Sequence, residues 1–123
     1  MNNKNLTQKE QEQLQLEKQK ENRTKKLFKR LKKNYNILLF DIVQDIIKTI
    51  NSKLQEPIND GEAMFDYLLQ HRELIVDNLI QQLKQEYYND NRYYCNNELF
   101  HSLKSFYLLK YKSILKTIIS ALF

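Results

Sequence analysis

Residues 27–54 read LFKRLKKNYNILLFDIVQDIIKTINSKL, and the spacing of their apolar side chains decides the fold class. Leu27, Leu31, Tyr35, Leu38, Leu39, Ile42, Ile46, Ile50 and Leu54 recur every three or four positions. That period matches the turn of an α-helix and gathers all of them onto one stripe. Asp41, Gln44, Asp45, Lys48 and Asn51 fall on the other faces. The run predicts one continuous amphipathic helix that ends before Pro57, because proline neither donates a backbone hydrogen bond nor fits a helix interior.

Toward the C-terminus the same period returns twice. Asn59-Asp60-Gly61-Glu62 reads as a helix start, with Asn59 as the cap and Glu62 closing a capping box. Phe65, Leu68 and Leu69 follow, then Ile75, Val76, Leu79, Ile80, Leu83 and Tyr87. His71-Arg72-Glu73 interrupts this stripe, which fits either two helices or one long bent one. Residues 89–92, Asn-Asp-Asn-Arg, form a turn signal without glycine. A last helix is expected from Asn96 or Asn97. It buries Leu103, Tyr107, Tyr111, Ile114, Leu115, Ile118 and Leu122 and leaves Lys104, Lys112 and Lys116 outside. Gly61 and Pro57 are the sole glycine and proline, too few for the turns of a β-sheet protein. The expected fold is all-α: an antiparallel bundle of three to four helices over residues 27–123 with a polar, basic N-terminal helical extension. Residues 1–26 form that extension, disordered near Met1 and a solvated helix toward Lys20. They carry only Leu6, Leu14 and Leu16 as large apolar residues and have no apolar face.

Charge divides along the same boundary. The chain of 123 residues has a formal net charge of +5. Residues 1–33 hold eleven Lys/Arg against four Glu, a net +7, while residues 34–123 sum to −2. The basic character therefore belongs to a segment, and its densest part is residues 23–33. There Arg23, Lys25, Lys26, Lys29, Arg30, Lys32 and Lys33 are interleaved with Leu27, Phe28 and Leu31. On a helix the cations spread opposite Leu27 and Leu31. That placement suits a phosphate backbone or an acidic partner, whose neutralisation releases counterions. Lysine outnumbers arginine here, so bidentate reading of bases is not favoured.

Several chemistries lack their residues. One glycine is too few for a phosphate-binding loop or a dinucleotide fingerprint, which need backbone amides close to the ligand. Cys95, His71 and His101 have no metal-ligand spacing, and zinc sites need about four ligands. No nucleophile comes with an evident base and oxyanion site. The expectation is no catalytic residue, no metal and no cofactor. A lone cysteine and the absence of an apolar leader suit a reducing interior, so the protein is expected to be intracellular: cytoplasmic, or nuclear if eukaryotic. No apolar run reaches membrane-spanning length, and a membrane role is not favoured.

What remains is a binding module. Tyr87, Tyr88, Tyr93 and Tyr94 flank the residue 89–92 turn together with Arg92, a composition typical of interface hot spots. Phe106 and Leu109 lie off the main stripe of the last helix, leaving apolar surface for a neighbour. The leading reading is a non-enzymatic helical regulator or accessory subunit that binds a protein partner or itself through these residues. The alternative is a nucleic-acid-binding accessory protein that grips phosphate with the basic segment.

Overall fold

The structure is a computed structural model that describes residues 7–123. Five helices make up nearly all of it: α1 (Gln8–Lys33), α2 (Tyr35–Lys53), α3 (Gly61–Gln70), α4 (Arg72–Tyr87) and α5 (Asn97–Leu122). The described residues contain no strand, and none of their helices is long and apolar enough to cross a membrane. The favoured disorder near Met1 concerns residues outside the described part.

Thr7 starts α1. Its Oγ1 accepts from the Glu10 N–H at 3.1 Å, and Glu10 places a carboxylate against the positive end of the helix dipole. The helix then runs through residue 26 without interruption. Up to Asn22 it is almost wholly exposed, and from Thr24 it buries Thr24, Leu27, Phe28 and Leu31.

The continuous helix expected over residues 27–54 is broken at Asn34. The Asn34 N–H closes α1 on the Arg30 carbonyl at 2.9 Å, while its own carbonyl accepts from Ile37 and Leu38, both at 3.1 Å, to open α2. Asparagine is a poor helix-interior residue because its side chain competes for backbone bonds. The apolar stripe hides the break, since Leu31 and Tyr35 are buried on either side of it. At the far end Leu54 leaves the helix in an extended conformation and is exposed, so it does not complete the stripe.

A second break separates α3 from α4 at His71, with φ −99° and ψ 19°, close to the −95° and 13° of Asn34. The interruption at His71-Arg72-Glu73 thus marks two helices. The cap of α3 is Asp60 and not Asn59. Asp60 accepts from the Glu62 and Ala63 N–H groups, both at 3.3 Å, so Glu62 lies one position too early to close a capping box. The sole glycine follows at Gly61 because the end of α5 crosses there. A Cβ at Gly61 would sit 3.1 Å from Cβ of Phe123.

α5 touches all four other helices and supplies the centre of the core with Phe100, Leu103, Tyr107, Tyr111, Leu115, Ile118 and Ile119. Two of these residues do more than fill space. The Tyr107 hydroxyl donates to the Leu31 carbonyl in the last turn of α1, and the Tyr111 hydroxyl donates to the Leu68 carbonyl in the last turn of α3, each at 2.8 Å. Carbonyls at a helix C-terminus run out of intrahelical partners, and both breaks leave such groups inside the core. Tyrosine brings an apolar body and one donor to satisfy them. Tyr35 stacks on Tyr107 at 3.9 Å between ring centroids, but its buried hydroxyl has no partner among the described residues. Burial pushes the pKa of all three phenols upward. Lys104, expected outside, is half-buried and ties α5 to α4 through Asp77 at 2.7 Å and Glu73 at 3.4 Å.

Two substitutions separate these roles. Tyr107→Phe leaves the Leu31 carbonyl without its donor and is expected to cost about 1–2 kcal/mol in urea denaturation. Tyr35→Phe removes a hydroxyl that gains nothing from burial, and is expected to be neutral or stabilising in the same measurement.

Candidate nucleic-acid interface

The buried stripe of α1 sets the direction of its charge. Thr24, Leu27, Phe28 and Leu31 occupy an arc of about 100° when residues are placed about 100° apart. On the same projection Arg23, Lys25, Lys26, Lys29, Arg30, Lys32 and Lys33 fill an arc of about 180° centred opposite. All seven are exposed. The outer half of the helix from residue 23 to residue 33 is therefore cationic without interruption. No carboxylate of the described residues forms a salt bridge with any of the seven; the ion pairs lie elsewhere, at Arg92–Asp90 and around Lys104. The helical backbone beneath the cations sets their spacing.

Thr24, which the sequence reading did not single out, fastens the tyrosine loop to this helix. Its hydroxyl donates to the Lys20 carbonyl and accepts from the Tyr94 N–H, both at 2.8 Å. Lys20 then extends over the Tyr94 ring, 4.9 Å from the centroid. Thr24 lies three positions before Leu27 and four before Phe28, so its place on the buried stripe was open to the same periodic reading. The approach of Lys20 to Tyr94 joins residues distant in sequence and had no local signal.

The expected interface residues divide between inward and outward roles. Tyr87 and Tyr93 are half-buried and meet edge to face at 5.8 Å. Burial raises the pKa of Tyr87, Glu86 adds to the rise, and Arg30 of the basic segment partly offsets it. Tyr88 and Tyr94 are exposed, Tyr94 by 42%. Arg92 turns back onto its own loop: its guanidinium binds Asp90 at 2.7 Å while its N–H reaches the same carboxylate at 2.9 Å. These bonds hold Asp90 down at about 2, below the usual carboxylate range.

Phe106 is half-buried on the flank of α5 that faces α1. Two cations lie over its ring, Lys32 from α1 at 5.4 Å and Lys110 from α5 at 6.0 Å. Leu109 is 79% exposed and has no partner in the core. Farther along, α2 and α5 enclose an open groove of about 470 Å³ lined by Asn36, Ile37, Phe40, Ile114, Thr117 and Ala121. Ile37 on its rim is 59% exposed.

Cys95 is half-buried, with its thiol pKa raised by burial and by Asp90. His71 and His101 are exposed. No group of three or more His, Cys, Asp or Glu among the described residues is placed to hold a metal ion. Compared with known proteins, the chain matches no family model, no curated protein and no solved structure.

The Asp90–Arg92 turn gives a pH-dependent test. Its folded carboxyl pKa is lowered, so the contact is intact at neutral pH and is lost as pH falls through about 2. An NMR titration of the Asp90 carboxyl should show that midpoint. In Arg92→Ala it should return to about 4.

Proposed function

We propose that this protein is a non-enzymatic accessory protein whose working surface is the outer face of α1, and that its ligand is the phosphate backbone of a nucleic acid. One observation carries the reading. Seven exposed cations fill half the circumference of a helix, and none of them forms a salt bridge with a carboxylate of the described residues. A surface of that kind gains free energy by exchanging condensed counterions on a polyanion for fixed lysines and arginines. Five lysines against two arginines suit contact with phosphate more than recognition of base edges. The remaining helices act as the base on which α1 packs through Thr24, Leu27, Phe28 and Leu31, leaving this face outward.

The order of the two readings offered by the sequence is therefore reversed. The tyrosine loop, part of the support for a protein partner, spends side-chain surface on itself through Tyr87–Tyr93 and Arg92–Asp90, and its Tyr94 N–H is bonded to Thr24 of α1. A protein partner or a second copy of the chain stays as the second reading. The exposed apolar residues Ile37 and Leu109 near the α2–α5 groove favour it.

Fluorescence anisotropy with labelled oligonucleotides tests the proposal. Log affinity should fall linearly with log salt, with a slope of about −3.5 to −5 on a single strand or about −4.5 to −6 on a duplex if most of the seven cations meet phosphate. Replacing Lys26, Lys29 and Lys33 together with Gln should make the slope shallower by about two units. Circular dichroism of that exposed triple variant should be unchanged. No binding at low salt, or binding only to anionic vesicles, would overturn the proposal.

A further inference from the structure

Aromatic rings stand at two places around the basic face of α1, Phe106 at one edge and Tyr94 just before its N-terminal end, and neither placement is visible from one stretch of sequence. On one side Phe106 lies beneath Lys32 and Lys110. On the other, Tyr94 lies beneath Lys20. The helical projection puts Lys32 at one edge of the cationic arc and Lys20 about 60° beyond the other edge, at Arg23. The two rims are thus separate. Four exposed or half-exposed tyrosines near one turn already resemble a stacking surface, but along the chain only Arg92 and Lys84 stand close to them. The fold supplies the missing charge by pinning the loop to α1 through Thr24.

A duplex and a single strand make different demands on such a surface. A duplex hides the faces of its bases and offers mainly phosphate to a lysine-rich helix. It would use the cations and leave the rings idle. A single strand exposes both parts: its backbone tracks a basic face while unstacked bases turn onto aromatic rings. Phe106 is half-buried and Tyr94 exposed, with lysine ammonium groups 4.9–6.0 Å from their ring centroids.

Building on the proposal that α1 binds phosphate, we infer that the nucleic acid is single-stranded, with its backbone on residues 23–33 and its bases on Phe106 and Tyr94. The contacts are independent of sequence, because every base has a π-face and lysine-rich charge suits phosphate more than base edges.

Stacking and charge separate in one titration. The full-length protein is titrated by anisotropy with twelve-nucleotide oligo-dT, twelve-nucleotide oligo-U and a twelve-base-pair DNA duplex, each over a range of salt. At least one single strand should bind about tenfold tighter than the duplex at equal salt, and its sugar identifies DNA or RNA as the source. Phe106→Leu and Tyr94→Leu keep apolar volume but remove the ring. Each should weaken single-strand binding about fivefold without changing the salt slope. Tyr94 lies largely outside the core, so its variant keeps the test valid if Phe106→Leu fails to fold. Duplex binding as tight as single-strand binding, or wild-type affinity in Tyr94→Leu, overturns this inference and leaves the phosphate reading standing. Absence of binding to all three probes overturns both.

Discussion

Two hydroxyls on one helix hold the structure in register. Tyr107 and Tyr111 stand one turn apart on α5, and each donates to a carbonyl where another helix ends, Leu31 of α1 and Leu68 of α3. A helix break inside a core leaves polar backbone groups away from water, and such groups are costly unless paired. The same pairing fixes geometry. With Leu31 held at Tyr107 and Phe28 packed edge to face on Phe100 at 5.2 Å, α1 cannot roll about its axis without losing buried contacts. Its cations then have one direction to face.

That coupling links the core to the surface chemistry. The charge of residues 23–33 would have little directional meaning on a disordered arm. On a helix locked to α5 it becomes a fixed half-cylinder, and the lock also brings Lys32 over Phe106. The second fastening, Thr24 to Tyr94, does the same on the other flank. Long lysine side chains lose conformational entropy when they bind, but a rigid backbone has already met the cost of placing them.

Helical periodicity made most of the core legible. The buried residues of α1, α2, α4 and α5 follow spacings of three and four, as the stripes from Leu27, Ile75 and Leu103 indicated. The break at Asn34 escaped because the apolar pattern passes over it unchanged, and only the poor helix propensity of one asparagine marks it. Asn59 and Asp60 are equally good cap residues by type, and backbone geometry selects Asp60. The basic segment was readable as charge, and its outward arc followed from the stripe. The aromatic rims were not, since Lys20 with Tyr94 and Lys32 with Phe106 are brought together only by tertiary packing.

The central claim is that a rigid α1 presents its outer face and two aromatic rims to one ligand. The most direct measurement is an amide and aromatic NMR shift map of isotope-labelled protein titrated with oligo-dT or oligo-U. The account expects perturbations at residues 23–33 together with Tyr94 and the Phe106 ring, and quiet signals from Ile37 and Thr117 in the α2–α5 groove. Perturbations concentrated in that groove, with residues 23–33 unmoved, would contradict it.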